Sequence, residues 1–273
     1  MLSFNAKKQL MEFLSEDIGK GDITSALLPK RNISARIISR EKAIVAGVKY
    51  AKEIFKLKGC NVLIVKKDGS KIKPNQTIMT ISGDAGKILT CERTALNLLT
   101  RMSGIATQTD QLVRKISNRK TKLYATRKTA PGLRYFDKEA VEIGGGKKHR
   151  LKLDEMVMIK DNHIAVSDSL LSLIKIAKRK YKKFEVEVEN TSDAVLAAKE
   201  GATIIMLDNF SPDQIKKTIQ ILKNQKLRNR VMLEASGGIN SKNIAKYGNT
   251  GVDIISVGSI TNSVKGIDMS LEI

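Results

Sequence analysis

Charged and hydroxyl-bearing side chains stand at the ends of a series of short apolar segments in the second half of this 273-residue chain. Each segment is rich in Val, Ile, Leu or Met, which is typical of buried strands. Strand ends are surface positions and often polar, but six polar ends in succession favour a functional site over an ordinary surface. The segments are 122–126, 156–160, 184–189, 203–208, 230–235 and 252–257, and the polar groups are Arg127 and Lys128, Lys160 and Asp161, Glu187 and Glu189, Asp208 and Asn209, Glu234 with Ser236 to Gly238, and Gly258 and Ser259.

Cations are the most informative of these groups. Arg127, Lys128 and Lys160 stand at predicted strand ends. Arg150 lies between two of those strands, and Arg93 can join them from a predicted helix earlier in the chain. Cations held close together repel one another unless an anion lies among them, and the planar Arg side chain matches carboxylate and phosphate geometry. The pattern therefore predicts a substrate with several negative charges.

Two carboxylates and two glycine-containing loops predict a phosphorylated sugar as a ligand. Glu187 and Asp208 suit ribose hydroxyls or a divalent ion bound through phosphate oxygens. Ser236-Gly237-Gly238 and Val257-Gly258-Ser259 follow the last two predicted strands. Glycine lets backbone N–H groups approach a phosphate closely, and the loops after the last two strands of a barrel are a common phosphate site. Ser-Gly-Gly taken alone could equally form a plain turn.

The two histidines both lie near these groups. His149 follows three consecutive glycines, Gly144 to Gly146, and could contact a substrate or act as a structural hydrogen-bond partner. The glycines themselves could form an ordinary loop. His163 follows Asp161-Asn162 and could be the neighbour of a helix cap or a positioning group. The sequence leaves these alternatives open.

Alternating strands and helices would place the polar groups together. Apolar residues recur at helical spacing in 170–181 and 215–222, between predicted strands. Ser211 to Gln214 (SPDQ) has the cap, proline and glutamine of a typical helix start. Repeated strand–helix units form right-handed crossovers and a parallel sheet. At least six short strands favour a closed barrel, in which active-site groups lie at the carboxyl ends of the strands.

The first part of the chain has a different pattern, which predicts an α+β module. Ser103-Gly104 predicts a break between two helices in the helical region 86–120, and Asp68-Gly69 predicts a hairpin turn. The segments that predict the module are a helix in 4–14, paired strands in 35–46, and further strands in 61–65 and 77–81.

The net charge of +21 permits two interpretations. A nucleic-acid partner would use Lys and Arg to neutralise phosphates. The lysines, however, are spread through every segment, and aromatic residues for base stacking make up only 4% of the chain. A lysine-rich solvated surface is therefore the preferred interpretation, with a nucleic-acid-binding protein kept as the alternative.

The remaining composition indicates a cytoplasmic protein. Cys60 and Cys91 lack the spacing of a metal site and are expected to be reduced and buried. No apolar run approaches the roughly 18 residues of a membrane span. The first residues carry charges among their apolar positions and lack the uninterrupted apolar core of a signal peptide.

Short motifs occur in order along nearly the whole chain and together resemble one family. They are 16–24 (EDIGKGDIT), 92–97 (ERTALN), 103–107 (SGIAT), 126–132 (TRKTAPG), 144–146 (GGG) with 149–150 (HR), 159–163 (IKDNH), 185–189 (EVEVE), 207–209 (LDN), 234–238 (EASGG) and 251–253 (GVD) with 257–258 (VG). In combination they resemble the quinolinate phosphoribosyltransferases, the carboxylating nicotinate-nucleotide pyrophosphorylases of NAD synthesis.

The resemblance implies an α/β fold of two domains. An N-terminal α/β sandwich, residues 1–103, would precede an incomplete parallel α/β barrel of about seven strands, residues 104–273, with the last few residues available to rejoin the first domain. The resemblance also implies a head-to-tail homodimer in which the N-terminal domain of one subunit closes the barrel of the other. Assembly beyond the dimer stays open.

The same resemblance implies an activity and residue roles. The enzyme would transfer phosphoribosyl from phosphoribosyl pyrophosphate to quinolinate with decarboxylation, without a membrane or nucleic-acid partner. Glu187 and Asp208 would hold the ribose hydroxyls and the cofactor Mg2+, and together with Lys128 they would be the catalytic groups. Arg93 would reach quinolinate from the partner chain. The dicarboxylate and pyrophosphate would contact Thr126, Arg127, Lys128, His149, Arg150 and Lys160, and the 5-phosphate would contact Ser236, Gly237, Gly238, Val257, Gly258 and Ser259.

Two departures from the family pattern keep the acceptor open. Ala125 stands where many relatives have Asp, and Lys148 where relatives often have Asn or Pro, so the shape of the acid pocket is in question. The alternatives are a phosphoribosyltransferase of the same fold acting on nicotinate, or a ModD-like protein. Arg93 and the intact motif 159–163 favour quinolinate, because a second carboxylate needs a second cation. A non-catalytic barrel is disfavoured because the whole charged set is present.

Overall fold

The structure, a computed structural model, describes residues 4–118 and 120–273 and contains two compact units. The first unit comprises residues 4–110, Ala130–Gly145 and Ser263–Ile273. The second comprises Gln111–Thr129 and Gly146–Asn262. The domain boundary predicted between residues 103 and 104 stays a prediction. It falls inside one long helix, and each unit is made of several separate segments of the chain.

Helices and strands follow one another along the described chain as the alternating pattern predicts. The helices are α1 (Phe4–Ile18), α2 (Val48–Leu57), α3 (Ala85–Lys115), α4 (Arg134–Ile143), α5 (Asp161–Ala165), α6 (Leu170–Lys180), α7 (Thr191–Glu200), α8 (Pro212–Asn224), α9 (Ile244–Gly248) and α10 (Ser259–Asn262). The strands are β1 (Asn32–Ser39), β2 (Ala43–Ile44), β3 (Asn61–Ile64), β4 (Lys71–Ile72), β5 (Thr77–Asp84), β6 (Lys122–Tyr124), β7 (Val157–Ile159), β8 (Phe184–Val188), β9 (Ile204–Asp208), β10 (Met232–Ser236), β11 (Ile254–Ser256) and β12 (Met269–Glu272). None of the helices in this described part is long and apolar enough to cross a lipid bilayer.

The first unit contains an antiparallel four-stranded sheet in the order β12-β1-β5-β3 and a small β2-β4 pair. The α+β module is confirmed, but the prediction that 35–46 forms two paired strands is wrong. β1 pairs with β5 on one edge and with β12 on the other, which leaves it no free edge for β2. β2 does not pair with β1, because β5 and β12 form longer hydrogen-bonded ladders with β1.

The predicted hairpin at Asp68-Gly69 is also wrong. The strands on either side of this turn, β3 and β4, belong to different sheets. Asp68 instead accepts a hydrogen bond at Oδ1 from the N–H of Val48, the first residue of α2, at 2.9 Å. The N–H of Gly69 donates to the Val45 carbonyl at 2.8 Å. The Asp68 carboxylate therefore accepts a hydrogen bond from an N–H group at the N-terminus of α2 and does not form a hairpin turn.

Gly104 does not break a helix, contrary to the prediction. α3 runs without interruption through Ser103 and Gly104. A Cβ atom on Gly104 would lie 2.1 Å from the Lys265 carbonyl oxygen, so glycine is present because another backbone crosses there. Ser103 is fully buried, and its Oγ accepts a hydrogen bond from the Ala46 N–H at 3.0 Å. Both residues serve close packing inside the first unit.

We expect Gly104→Ala to lower the free energy of unfolding by about 1–3 kcal/mol, because the added methyl group meets backbone that cannot rotate away. Thermal or urea unfolding measures the effect. Gly86→Ala in the same helix is the matched control, since its Cβ would come no closer than 3.3 Å, to a carboxylate oxygen of Asp84. Alanine is the better helix former, so the control is expected to be neutral or slightly stabilising. Equal stabilities for the two variants would contradict the packing role of Gly104.

Both cysteines agree with the prediction of reduced, buried thiols. Cys60 and Cys91 are free and buried in the first unit. Burial raises the pKa of the Cys91 thiol to about 12. A thiol with so high a pKa is a poor nucleophile at neutral pH.

The second unit is built on a parallel six-stranded sheet in the order β6-β11-β10-β9-β8-β7. All six predicted strands are present, each one to three residues shorter than predicted. No ladder joins β6 to β7 within the described residues, so the sheet is an incomplete barrel. A single bridge between Tyr124 and Lys147 extends the β6 edge, which is consistent with about seven strand positions.

The helices of the second unit begin where the sequence predicts. Ser211 caps α8, its Oγ accepting from the Gln214 N–H, while the Gln214 side chain accepts from the Ser211 N–H. α6 buries Leu170, Ile174 and Ala177, the apolar face that helical spacing predicts. These helices bury the outer face of the parallel strands and leave their carboxyl ends available for a site.

Candidate active site

The six parallel strands of the second unit surround one cavity at their carboxyl ends. Its volume is about 350 Å³, which is within the range of small-molecule sites. Every strand of the sheet, or the residues directly after it, contributes to the wall. The lining residues are Ala125, Thr126, Arg127, Lys128, His149, Arg150, Met158, Lys160, Glu187, Met206, Asp208, Glu234, Ser236 and Ser256.

The four cations predicted to converge in this unit do line the same cavity. They are Arg127, Lys128, Arg150 and Lys160. Burial lowers the pKa of Arg150, and the nearby charge of Arg127 lowers it further. Nε of Arg127 is buried and has no hydrogen-bond partner among the described residues. The cations therefore crowd one another, and an anion in the cavity would relieve that repulsion.

Local contacts hold the loop after β6 in the cavity wall. The Lys128 N–H donates to Oγ1 of Thr126 at 3.1 Å, and Oγ1 of Thr261 donates to the Lys128 carbonyl at 2.8 Å. A Cβ on Gly258 would lie 3.0 Å from Cδ of Lys128, so glycine leaves room for the lysine stem. These contacts involve the backbone and stem of Lys128, and its ammonium group is not needed to form the loop.

The two predicted sugar-binding carboxylates also line the cavity. Glu187 forms a close ion pair with Nζ of Lys160. Asp208 accepts a hydrogen bond at Oδ2 from the Asn209 side chain at 2.7 Å. Asn209 has a left-handed backbone (φ 57°), and its N–H donates to the Ser236 carbonyl at 2.9 Å. The loops after β9 and β10 are thus joined to each other.

The predicted phosphate loops lie around the cavity in different ways. Ser236 is part of the wall, whereas Gly237, Gly238, Val257, Gly258 and Ser259 are not among the lining residues. Gly237 has a φ of 90°, and a Cβ there would lie 2.1 Å from the Asn209 side chain. Val257 is buried, with its N–H bonded to the Tyr124 carbonyl, so it packs in the core. Any phosphate contact from these loops would come from the backbone or from Ser236 and Ser259.

The alternatives for the two histidines are now resolved in part. His163 is the helix-cap neighbour, because its Nδ1 accepts from the Lys160 N–H at 2.9 Å at the start of α5. His149 is largely buried, with 7% of its side chain exposed, but it also lines the cavity, so its predicted contact with the substrate stays a prediction. The glycines before it are not a plain loop. A Cβ on Gly144 would lie 2.5 Å from the Ala106 carbonyl oxygen, so Gly144 permits α4 to end against α3.

A second group of carboxylates, here called the deeper layer, is completely buried, although Glu234 still forms part of the cavity lining, and sequence reasoning missed its role. Glu185 and Glu234 are completely buried, and their Oε2 atoms lie 3.3 and 3.6 Å from Nε2 of His149. Glu185 lies two residues before Glu187 on β8, and Glu234 lies two residues before Ser236 on β10, so each shares a strand face with a wall residue. This two-residue spacing within each strand was the signal in the sequence that could have placed Glu185 and Glu234 near the cavity.

Protonation in this layer follows from burial and charge. Burial alone lowers the pKa of His149, but Glu185 and Glu234 outweigh it and raise the pKa to about 9. Nδ1 of His149, however, accepts from the Arg150 N–H at 2.8 Å, which requires an unprotonated Nδ1 and places the ring proton on Nε2. Burial raises the pKa of Glu185 as well. Both observations on His149 place a proton on Nε2, the ring nitrogen that faces the two carboxylates.

Arg93 is the one predicted substrate ligand that lies in the first unit. It is on α3, with 64% of its side chain exposed, and its guanidinium lies 3.9 Å from Glu92. It does not line the cavity of the second unit. Ala125 does line it and is fully buried, so this departure from the family pattern lies in the cavity wall.

Comparison with protein families agrees with this geometry. Residues 22–103 match the model of the quinolinate phosphoribosyl transferase N-terminal domain, and residues 105–272 match that of the C-terminal domain. This chain belongs to the quinolinate phosphoribosyltransferase family. The predicted family and its α/β fold are therefore confirmed.

Relatives and solved structures cover nearly the whole chain. A probable carboxylating nicotinate-nucleotide pyrophosphorylase of Methanothermobacter thermautotrophicus is 44% identical over 271 residues, 97% of each chain. A carboxylating nicotinate-nucleotide pyrophosphorylase of Mycobacterium leprae is 38% identical over 279 residues, 98% of this chain and 97% of that one. The nicotinate-nucleotide pyrophosphorylase structure from Francisella tularensis superimposes with a TM-score of 0.92 at 39% identity and covers 100% of this chain and 97% of that chain.

Proposed function

We propose that this member of the quinolinate phosphoribosyltransferase family transfers the phosphoribosyl group from phosphoribosyl pyrophosphate to quinolinate. The products are nicotinate mononucleotide, carbon dioxide and pyrophosphate, in the synthesis of NAD. The observation that carries the proposal is the crowding of four cations around one cavity of about 350 Å³ whose other wall carries Glu187 and Asp208. Together the two substrates supply the several negative charges that such a cavity requires.

The cations would divide between the two anionic substrates. Arg127 and Arg150 have the planar side chains that match a carboxylate, and two such groups suit the adjacent carboxylates of quinolinate. Lys128 and Lys160 are compact point charges and suit pyrophosphate oxygens as well as carboxylates. Their shared role is to hold the acceptor nitrogen in line with C1 of the ribose, which supplies much of the rate acceleration.

The reaction itself needs no nucleophile from the protein. The bond from C1 to pyrophosphate breaks and its electron pair leaves with pyrophosphate, so positive charge develops on the ribose. The pyridine nitrogen of quinolinate donates its lone pair to C1 and becomes cationic. The carboxylate at ring position 2 then departs as carbon dioxide, its electron pair stays on that carbon next to the cationic nitrogen, and a proton from solvent completes nicotinate mononucleotide. Glu187 and Asp208 stabilise the charge on the ribose, and the cations stabilise the departing pyrophosphate.

Glu187 and Asp208 fit a Mg2+ cofactor. The two do not belong to a three-ligand group in the described part of the chain, where the only such group is His149, Glu185 and Glu234. Magnesium usually keeps several waters and binds through one or two carboxylates plus substrate phosphates, so two carboxylates are sufficient. The cation would supply charge neutralisation for the pyrophosphate. Glu187 already pairs with Nζ of Lys160, so Mg2+ would share this carboxylate with the lysine.

A homodimer with shared active sites, in the cytoplasm, belongs to the same proposal. Arg93 supports it, because this exposed cation lies on α3 of the first unit and, among the described residues, its ion pair is a 3.9 Å contact with Glu92. A partner subunit that brings Arg93 to the barrel would add a fifth cation, which suits the second carboxylate of quinolinate. The backbone of the loops at Gly237 and Gly258, with Ser236 and Ser259, would bind the 5-phosphate.

The proposal is tested by turnover with phosphoribosyl pyrophosphate and Mg2+, comparing quinolinate with nicotinate. We expect quinolinate to be consumed with stoichiometric release of carbon dioxide, and kcat/KM for nicotinate to be at least about a hundredfold lower, because nicotinate leaves cations of the acid pocket unpaired. Labelled carbon dioxide from carboxyl-labelled quinolinate is the measurement. Equal or better turnover of nicotinate would reject quinolinate as the acceptor.

A further inference from the structure

Three buried ionisable side chains of the second unit have no part in the proposed reaction. Glu185 on β8 and Glu234 on β10 are completely buried, and His149 lies between them. Within the described residues, none of the four carboxylate oxygens has a hydrogen-bond partner. Burying a carboxylate without such partners is costly, so a fold optimised only for stability would not retain two of them.

The two carboxylates converge on one atom of the histidine. Their Oε2 atoms lie 3.3 and 3.6 Å from Nε2 of His149. They come from strands on either side of β9, so they reach the ring from two directions. The other ring nitrogen, Nδ1, accepts from the Arg150 N–H at 2.8 Å. The ring therefore lies in ion-pair distance of two carboxylates at Nε2 and accepts a backbone hydrogen bond from the next residue at Nδ1.

That next residue is one of the four cations of the cavity. His149 has a left-handed backbone (φ 53°), a conformation in which a residue other than glycine is held only by its surroundings. The guanidinium of Arg150 donates to the Met156 carbonyl at 2.9 Å and contacts Sδ of Met158 at 3.3 Å. The direction in which Arg150 leaves the backbone thus depends on how His149 is held.

We propose that Glu185 and Glu234 are positioning residues: they hold the ring of His149, which fixes the backbone at Arg150 and so places its guanidinium in the substrate cavity. The proposal rests on the proposed function, in which Arg150 binds quinolinate. In this role Glu185 and Glu234 act through His149, although Glu234 also forms part of the cavity lining. Their cost in stability is the expected price of a preorganised cation.

In this arrangement, removing one buried carboxylate is expected to keep or raise the stability of the fold and to lower the affinity for the substrate. Removing a buried carboxylate that lacks hydrogen bonds relieves a desolvation penalty. Glu234→Leu is therefore expected to leave the thermal unfolding midpoint equal or higher. The same change removes one of the two acceptors at Nε2 of His149, and a displaced Arg150 is expected to raise the KM for quinolinate by about tenfold or more, since small misplacements of a binding group are expensive. The KM for phosphoribosyl pyrophosphate should change by less than about threefold.

Matched variants separate positioning from a general structural role. Glu234→Gln keeps an acceptor oxygen for Nε2 and is expected to retain the wild-type KM for quinolinate within about threefold. Glu200→Leu and Glu200→Gln make the same changes at the end of α7, away from the cavity, and should leave both constants unchanged. Glu185→Leu is the second disruptive variant, in case Glu234→Leu fails to fold.

A double-mutant cycle tests whether the effect passes through Arg150. Quinolinate binding is measured calorimetrically for Glu234→Leu, Arg150→Lys and the double variant. Residues that act as one unit are non-additive, so the double variant should lose no more affinity than the weaker-binding single variant. Additive losses would overturn the proposal. So would an unchanged KM in both Glu234→Leu and Glu185→Leu, or a fall in unfolding midpoint that parallels the loss of affinity.

The same variants also test for two other outcomes, a metal site at these residues and a wild type that does not bind quinolinate. The donor atoms of His149, Glu185 and Glu234 lie within 4.8 Å of one another, so metal content is measured for the wild type and for Glu234→Leu. A stoichiometric metal that disappears in the variant would overturn the positioning role in favour of a metal site. If the wild type binds no quinolinate, the proposed acceptor fails. Inorganic pyrophosphate then replaces quinolinate as the probe of the cavity, and the same stability and affinity comparison still decides the positioning role.

Discussion

Replacing Lys128 with Ala is expected to lower kcat/KM for quinolinate turnover by about 10²–10³-fold, the cost of removing one preorganised charge from a transition state. Lys128 lines the cavity next to the predicted path of the departing pyrophosphate. Its backbone is held by Thr126 and Thr261, which the substitution leaves in place. The fold should therefore survive, with an unfolding midpoint within about 2 °C of the wild type, as small changes in free energy predict.

Steady-state kinetics and thermal unfolding of the same preparation measure both parts of this expectation. Lys175→Ala is the matched control, because Lys175 is an exposed residue of α6 outside the cavity wall. That variant should keep full activity. A fully active Lys128→Ala would show that the cavity has been misassigned as the active site, whereas an unfolded Lys128→Ala would show that the lysine has a structural role instead.

Arg93→Ala is expected to lower kcat/KM by a similar factor of about 10²–10³, although Arg93 does not line the cavity of its own second unit. The proposed dimer explains this, since each active site would combine the barrel of one subunit with Arg93 of the other. Mixing inactive Arg93→Ala with inactive Lys128→Ala should then restore activity. A hybrid dimer contains one intact site and one doubly defective site. Random reassociation of symmetric dimers makes half of them hybrids, so about a quarter of wild-type activity is expected.

The control for complementation is a mixture of two variants in the same barrel. Lys128→Ala and Asp208→Asn both alter the cavity of the second unit, so none of their hybrids contains an intact site. That mixture should stay inactive after unfolding and reassociation. Recovery in this control, or no recovery with Arg93→Ala, would contradict an active site shared between subunits.

Much of the second unit was predictable from local patterns. Six strands were predicted and six occur, because each apolar run is bounded by polar or glycine-containing turns and a parallel strand is buried on both faces. The convergence of Arg127, Lys128, Arg150 and Lys160 followed from topology, since the carboxyl ends of parallel strands meet at one mouth. The capping box at Ser211 and Gln214 was also correct, as it involves residues three apart on one turn.

The errors arose where distant segments compete for the same partner. Gly104 was interpreted as a helix break on propensity, but the cause of the glycine is the carbonyl of Lys265, 161 positions later in the sequence. Asp68 was interpreted as a hairpin residue and instead caps α2, which begins twenty positions earlier. β1 pairs with β5 and β12 in preference to its neighbour β2. Local sequence patterns do not indicate which of several distant segments will pair with a given strand or helix.

The amino-acid sequence by itself determined the kind of chemistry, because the types of charged side chain and their positions at strand ends follow from alternation and composition alone. Only the tertiary structure decided which carboxylates are completely buried and which stay partly exposed in the cavity. Glu185 and Glu187 are on the same face of β8, and their difference in depth depends on how neighbouring strands stagger around the barrel. The contacts of His149 with Glu185 and Glu234, 36 and 85 residues away, likewise exist only because the folded sheet brings β8, β10 and the segment before β7 within ion-pair distance.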